Sequence, residues 1–199
     1  EAVLARITGH AVVASLETER KTIPAPMLHS LLELQKEANK FYGMTSSDTL
    51  KIAQSLYEKK LITYPRTESK HLPTNFAQHI ERNVQAAQSV PQLQQAVQYI
   101  AGQNTSRIMQ SKRYVDDKKL TDHHAITLTD VTPTFGSLSM AEQRIYELVA
   151  KRLLSIFLPP YTFDETTVVL TSGGETFKAR GKMVIEKGFT ALYEQHKKK

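Results

Sequence analysis

The amino-acid sequence predicts a mixed α and β protein with more than one domain, in which a mainly helical domain is inserted into a small β subdomain. Apolar and polar residues alternate near both ends of the 199-residue chain, whereas apolar residues in the middle recur at helical spacing. Pro24 and Pro26 interrupt regular structure where the first pattern ends. We therefore expect a discontinuous β subdomain of residues 1–26 and 164–199, and a helical domain of residues 27–163.

Both ends of the chain have the period of two that is typical of β-strands. Beyond residue 160 the alternation runs to about Leu192, and Gly173-Gly174 within it predicts a tight hairpin turn. At the other end, residues 1–20 also alternate: Val3, Ala5 and Ile7 share one face, and Val12 and Ala14 continue the pattern after a turn at Gly9.

Helical spacing begins at Met27, and Gly43 is a plausible end of this first helix. A second helix follows, with Thr45 or Ser46 as its N-cap and an apolar face that includes Tyr57. Two helices joined by so short a link resemble a helix-turn-helix pair.

Three stretches follow in the middle of the chain. Residues 61–66, LITYPR, are rich in β-formers, and residues 124–129, HAITLT, predict a short strand. Between them, the glutamine-rich stretch from about Asn75 to Tyr99 has a weak apolar stripe, which favours a surface helix or a helix pair.

The clearest helix covers residues 139–157. Ser139 and Glu142 have the spacing of a capping box, and two prolines end the pattern. One face of this helix is apolar and is made of Ile145, Leu148, Val149, Leu153 and Ile156.

Composition narrows the classes of function. The net charge is +6 and the pI is about 9.4, which favours a polyanionic partner, with nucleic acid first and an anionic membrane surface second. The chain has no cysteine, which excludes disulfides, thiolate metal sites and cysteine nucleophiles. No apolar run is long enough to span a bilayer. The chain starts without Met in a strand-like pattern, so we expect a central fragment of a longer protein.

Tyr64 and Arg66 form the most suggestive chemical pair. In extended backbone they point to the same side, and Pro65 between them places the segment at an edge or a turn. A phenol can attack phosphorus to form a phosphotyrosine, and a guanidinium can hold two phosphate oxygens. Two hydroxyls and one carboxylate follow in the chain, from Thr67, Ser69 and Glu68.

Each of these signals has a structural alternative. A tyrosine in a strand commonly packs with its hydroxyl in water. His123 and His124 are neighbours, so in a strand they would point to opposite faces and could not easily share a metal ion. The basic residues between 107 and 119, among them Lys112 and Arg113, are by default a solvated face.

The order of several motifs resembles the type IA DNA topoisomerases. LYEKKLITYPRTES is similar to the family's active-site signature, and its proline after the tyrosine and TDHHAITLT resemble the topoisomerase III branch. The family's helix before the site is similar to IPAPMLHSLLELQKEA, and its helix after the site is similar to IYELVAKRLLSIFLPPY. The strands that return to the β subdomain resemble FKARGKMVIEKGFTALY. Together these blocks span residues 20–193.

The resemblance implies a role for each matching residue. Tyr64 corresponds to the nucleophile, Arg66 to the arginine that positions the scissile phosphate, and His123 to the histidine that contacts the DNA backbone. His124 corresponds to the second histidine of the topoisomerase III motif, and we expect it to have only a supporting role. The DNA-binding residues that we expect are Thr67, Glu68, Ser69, His124, Lys112 and Arg113.

Three positions depart from the family pattern. Lys60 replaces a glycine, so we expect a different turn there. Glu68 replaces an aspartate and lengthens the carboxylate arm, and Thr127-Leu128 lacks the family's proline.

The resemblance also implies partners and a cofactor. The helical domain would be the gate of the enzyme, and the β subdomain part of its arch and hinge. Mg²⁺ would bind to the acidic cluster of a Toprim domain in the same protein; this sequence has no D-x-D motif, so we expect no metal site in it. The expected partner is single-stranded DNA and not a membrane, the oligomeric state is open, and the expected location is the bacterial cytoplasm at the nucleoid.

Two rival functions remain. The helix pair could belong to a non-catalytic helix-turn-helix module that binds DNA. A tyrosine recombinase or another phosphotyrosine nuclease is a third reading, but those enzymes surround the nucleophile with a different set of arginines and histidines. We expect the chain alone to be inactive, because the Toprim domain would complete the active site.

Overall fold

The computed structural model describes Arg6, Ile7 and residues 9–196. The chain forms two compact units: a sheet unit made of the residues up to Pro24 and Pro159–Gly188, and a helical unit made of Ala25–Leu158 and the residues from Phe189 onward. The mixed α and β fold class is confirmed. Val3 and Ala5, which were expected in the first strand, lie outside the described residues.

The sheet unit consists of three antiparallel strands, β1 (Val12–Ile23), β2 (Tyr161–Ser172) and β3 (Glu175–Glu186), in the order β1-β2-β3. Gly173 and Gly174 link β2 to β3 with φ of 57° and 79°, so the predicted hairpin turn is confirmed. Left-handed backbone at both central residues is what a tight hairpin requires, and glycine adopts it without steric cost.

The register of the sheet brings its three connections to the helical unit to one end. Ile23, the last residue of β1, pairs with Tyr161, the first residue of β2. Glu186, the last residue of β3, pairs with Thr162. At mid-strand, the guanidinium of Arg20 donates two hydrogen bonds, of 2.8 and 3.0 Å, to the carboxylate of Asp164 on β2.

The described part of the helical unit contains six α-helices around one core: α1 (Leu31–Tyr42), α2 (Ser46–Glu58), α3 (Ile80–Ala86), α4 (Gln94–Ala101), α5 (Ser106–Met109) and α6 (Met140–Ser155). Short 3-10 turns lie between α2 and α3, between α3 and α4, and between α5 and α6. The longest helix, α6, is buried on nearly all sides, and its predicted capping box between Ser139 and Glu142 is confirmed.

Helix α1 begins later than the sequence predicts. Its N-cap is Ser30, whose hydroxyl accepts a hydrogen bond from the backbone amide of Glu33, so the expected start at Met27 was wrong. The reason is a tertiary contact: the buried His29 forms an isolated β-bridge with Ile126, which holds this part of the chain extended. The end of α1 at Gly43 is confirmed, with φ of 66°.

A buried ionic group fixes the chain just before α1. The carboxylate of Glu37 accepts a hydrogen bond of 2.7 Å from the guanidinium of Arg152 on α6 and contacts the imidazole of His29. Burial alone would raise the pKa of Glu37, but the His29 contact and the charge of Arg152 outweigh it and lower that pKa. Arg152 also donates to the carbonyl of Met27 at 2.8 Å, so α1, α6 and the preceding segment are joined.

The stretch from Asn75 to Tyr99 holds the two short helices α3 and α4 with 3-10 turns around Pro91, so the helix pair among the expected alternatives is confirmed. Most of its apolar residues are buried in the core. The strand expected at residues 124–129 was wrong: only single bridges occur there, at Ile126 and Leu128.

The compact units differ from the expected domains in three stretches of the chain. Residues 25 and 26 belong to the helical unit, which begins at Ala25. Residues 159–163 belong to the sheet unit because β2 already begins at Tyr161. Residues from Phe189 onward belong to the helical unit, where the ring of Tyr193 stacks on Phe41 with centroids 6.0 Å apart.

Candidate active site

The candidate site begins at the turn that ends α2. The amide of Lys60 donates to the carbonyl of Tyr57 at 2.8 Å, and the amide of Leu61 donates to the carbonyl of Leu56 at 2.9 Å. This pair of bonds is a Schellman motif, which needs a left-handed residue just past the helix. Lys60 occupies that position with φ of 61° and is the one non-glycine residue with positive φ in the described chain. The lysine thus adopts a conformation typical of glycine, and this turn has a standard helix-ending geometry.

The same end of α2 is tied to the start of α6. The carboxylate of Glu142 accepts hydrogen bonds from the Lys59 ammonium at 2.6 Å and the Ser55 hydroxyl at 2.8 Å. Its second oxygen accepts from the backbone amide of Ser139 at 3.0 Å. The bond from Lys59 is the main cause that lowers the pKa of Glu142 to about 2.

Ile62 and Thr63, which precede the candidate nucleophile, are bridged or hydrogen-bonded to residues 125–129. Ile62 forms a bridge with Leu128, and both side chains are buried. The Thr63 amide donates to the Thr127 carbonyl at 2.9 Å, and the Thr63 hydroxyl donates to the Ala125 carbonyl at 3.1 Å. These contacts fix the backbone that leads into Tyr64.

Tyr64 is half-buried between two other rings. Its ring centroid lies 4.3 Å from that of His123 and 5.3 Å from that of Tyr57, which meets it edge-on. His123 is exposed, and Tyr57 is 39% exposed. The structure therefore brings Tyr64 and His123 together, as the sequence predicts for one site.

The five residues after Tyr64 alternate between buried and exposed. Arg66 and Glu68 are exposed, whereas Pro65, Thr67 and Ser69 are buried. In the described part of the chain, neither Arg66 nor Glu68 has a hydrogen-bond or ion-pair partner.

The buried hydroxyls hold the loop in place. Thr67 donates to the carbonyl of His123 at 3.1 Å, and Ser69 donates to the carbonyl of Lys119 at 3.4 Å. The Thr67 carbonyl in turn accepts from the amide of Leu31 at 3.0 Å. The DNA-binding role of Thr67 and Ser69 stays a prediction, but the burial of both side chains favours a role in shaping the loop.

His124 packs edge-on against Phe76, with centroids 5.4 Å apart. Its Nδ1 lies 2.8 Å from the carbonyl of Ala125. Burial lowers the pKa of His124, which favours the neutral imidazole. This placement suits the expected supporting role.

Lys112 and Arg113 do not join this cluster. The Arg113 guanidinium donates to the carbonyl of Ala25 at 3.1 Å and to the hydroxyl of Tyr114 at 3.2 Å, so it anchors the chain before α1. Lys112 is exposed. Among the described residues, no hydrogen bond, ion pair or ring contact links either side chain to Tyr64.

Acidic and imidazole groups are dispersed in this structure. Within Arg6, Ile7 and residues 9–196, no three His, Cys, Asp or Glu side chains gather so that they could hold a metal ion. Asp117, for example, accepts from the amide and the hydroxyl of Thr74. The residues present therefore do not fit a Mg²⁺ site.

Sequence reasoning missed Tyr57 as a residue of the site. Its spacing on α2 predicted only an apolar helix face. The ring reaches Tyr64 because the turn at Lys60 reverses the chain, and helical periodicity cannot reveal a contact across a turn. The tyrosine in the block LYEKKLITYPRTES was the one available signal.

Comparisons with known proteins identify the family of the chain. A sequence model of the family described as DNA topoisomerase matches residues 1–199. DNA topoisomerase 3 of Bacillus subtilis (strain 168) is 39% identical over 185 residues, which cover 92% of this chain and 25% of that protein. DNA topoisomerase 3 of Bacillus licheniformis is 38% identical with the same coverage. The chain thus spans about a quarter of the length of these curated relatives.

A solved structure supports the same relationship. The full-length topoisomerase I from Thermotoga maritima superimposes with a TM-score of 0.67 and 25% sequence identity, over 97% of this chain and 31% of that chain. No helix in the described part of the chain is long and apolar enough to cross a membrane. Because the family model covers the whole sequence and the fold agrees, the chain belongs to the type IA family of DNA topoisomerases.

Proposed function

We propose that Tyr64 is the nucleophile with which the whole protein cleaves one strand of DNA. The observation that carries this proposal is the half-buried Tyr64 ring between Tyr57 and His123. Two residues later, Arg66 is exposed and has no partner within the described chain. A phenol held in place beside an available guanidinium suits attack on a phosphodiester.

In the proposed reaction the phenolic oxygen of Tyr64 bonds to phosphorus, and the bond between phosphorus and the 3′ oxygen breaks. The phenol loses its proton and the departing 3′ oxygen gains one, so the 5′ phosphate remains linked to tyrosine. After another strand has passed, the 3′ hydroxyl attacks the phosphotyrosine and frees Tyr64. Each step exchanges one phosphoester bond for another, so resealing needs no ATP.

The neighbouring side chains have supporting roles in this proposal. The planar guanidinium of Arg66 would hold two phosphate oxygens and offset their charge. His123 would contact the DNA backbone beside the scissile phosphate, and His124, packed on Phe76, would support that position. The proposed substrate is single-stranded DNA, and the proposed place of action is the bacterial cytoplasm at the nucleoid, in keeping with the bacterial origin of the relatives.

Magnesium would be bound elsewhere in the whole protein. The family resemblance assigns it to an acidic cluster on a Toprim domain, and the acidic residues of the described chain do not gather into such a site.

The test is the substitution Tyr64→Phe in the full-length protein. We expect loss of DNA relaxation and of the SDS-stable protein–DNA adduct, because the phenylalanine has no oxygen to attack phosphorus. Affinity for single-stranded DNA should change by no more than about twofold, since one hydroxyl contributes little to a phosphate-dominated interface. Tyr99→Phe, at a tyrosine that is 48% exposed, is the matched control and should retain both activities. An adduct formed by Tyr64→Phe would defeat the proposal.

A further inference from the structure

A cavity of about 550 Å³ lies in the helical unit beside the loop that follows Tyr64. Its volume is within the range of pockets that bind small organic ligands, and it can accommodate a single nucleotide. The first turns of α1 form one wall, and the loop forms the other. Its principal lining residues are Leu31, Leu32, Gln35, Arg66, Glu68 and Lys70.

The two walls differ in chemistry. Leu31 and Leu32 offer apolar surface, and Leu32 is 58% exposed. On the loop side, Arg66 is the cation with no partner in the described chain, whereas Lys70 lies 3.5 Å from the carboxylate of Glu33. An apolar wall facing a free guanidinium suits a ligand that has both a flat base and a phosphate.

Glu68 adds a carboxylate that no described residue neutralises. A free carboxylate repels phosphate, so it points to a different part of the ligand. Carboxylates accept hydrogen bonds from the amino groups of bases. A nucleotide with its phosphate at Arg66 and its base against Leu32 can present its Watson–Crick edge to Glu68.

The chain order connects this cavity with the candidate nucleophile. Arg66 lies two residues after Tyr64, a distance of at most about 7 Å along the backbone. If the 5′ phosphate is joined to Tyr64, as in the proposed function on which this inference rests, the nucleotides that follow it stay with the helical unit. Arg66 itself lines the cavity, so a phosphate held by this guanidinium lies at the edge of the cavity.

We propose that this cavity binds the nucleotide on the 3′ side of the scissile phosphate, and that Glu68 discriminates against thymine at that position. Adenine, cytosine and guanine each carry an amino group that can donate to the carboxylate. Thymine has a single ring N–H between two carbonyl oxygens, and these oxygens repel the carboxylate. The site would thereby hold the end of the cleaved strand while it is attached to tyrosine.

Binding without cleavage tests the cavity. The full-length protein carrying Tyr64→Phe is titrated with four 5′-phosphorylated, single-stranded hexanucleotides that differ only in the 5′-terminal base, at one salt concentration. Fluorescence anisotropy should show the thymine oligonucleotide binding roughly tenfold more weakly than the others. Equal affinities for all four would overturn the proposal.

Two variants and one control show which residues bind the nucleotide and which one discriminates against thymine. Glu68→Gln should abolish the discrimination, because an amide both donates and accepts, whereas Glu81→Gln, the same change at an exposed carboxylate outside the cavity, should preserve it. Leu32→Glu should weaken the binding of all four oligonucleotides, and the exposure of Leu32 allows this change without loss of the fold. Discrimination that survives in Glu68→Gln would refute the role of Glu68.

These outcomes are separable from those of the proposed function. Absence of an adduct from the wild-type protein would overturn the role of Tyr64 but would leave the binding comparison intact. Equal binding by protein that does form an adduct would overturn only the cavity proposal.

Discussion

Lys60 holds a backbone conformation that side chains rarely adopt. Its φ of 61° completes the hydrogen bonds that end α2 and start the segment leading to Tyr64. A residue with a β-carbon in this region is strained by about 1 to 2 kcal/mol relative to the right-handed region. The turn tolerates the strain because the buried side chains of Leu56 and Leu61 fix both of its ends.

The substitution Lys60→Gly should therefore stabilise the helical unit. We expect an increase in the free energy of unfolding of about 0.5 to 1 kcal/mol, because relief of strain exceeds the greater freedom of glycine in the unfolded chain. Urea denaturation followed by circular dichroism measures the effect. Lys60→Ala removes the same side chain but keeps the β-carbon, so it should give no gain. Equal stabilisation by both variants would show that the lysine charge, and not the backbone, is responsible.

Individual residues of the site were predictable to different degrees. Tyr64, Arg66 and His123 stand out because their chemistry is specific and the surrounding motifs resemble one family. The sequence treats Thr67 and Glu68 alike as polar loop residues, but the fold buries the first and exposes the second. Thr67 is buried because its hydroxyl donates to the carbonyl of His123, which is far away in the sequence. The residues next to Thr67 in the sequence do not reveal this contact.

At the scale of elements, the bond between Lys59 and Glu142 links α2 to α6 beside the site. The pKa of Glu142, lowered to about 2, lies below its ordinary value, so the ionised form is favoured by folding. This contribution to stability is complete above the ordinary carboxyl pKa and is lost as the pH falls towards 2.

Glu142→Gln should destabilise the protein by about 1 to 2 kcal/mol at neutral pH, a value reduced by the partial exposure of Lys59. Glutamine can still serve in a capping box, so the change isolates the charge. Urea unfolding at neutral pH and at about pH 3 should show a smaller gap between wild type and variant in acid. Glu142→Ala, which also removes the cap, should cost more at both pH values. A gap that does not narrow in acid would contradict the ionic explanation.

Elements with strong local signals were predicted well, and those set by tertiary contacts were not. Gly43, the capping box at Ser139 and the Gly173-Gly174 turn each depend on residues within a few positions of one another, and all three are confirmed. The start of α1 depends on the bridge between His29 and Ile126, which are far apart in sequence. No periodicity argument can anticipate that bridge.

At the scale of the whole molecule, we expect this chain alone to bind single-stranded DNA without cleaving it. The described acidic residues provide no metal site, and the chain spans about a quarter of its curated relatives. Incubation with a labelled oligonucleotide, followed by SDS electrophoresis, should show no adduct, whereas the full-length protein should form one. Salt-sensitive binding without an adduct also describes a non-catalytic DNA-binding module, so the full-length comparison separates the two functions. An adduct formed by the chain alone would show that it is catalytically sufficient.

The pairing of Ile23 with Tyr161 and of Thr162 with Glu186 sets side by side the three strand ends that continue into the helical unit. The Gly173-Gly174 turn closes β2 and β3 at the opposite end of the sheet. A longer or shorter turn there would therefore leave the spacing of those three strand ends unchanged, so the far end of the sheet can vary in length without altering the chain's connections.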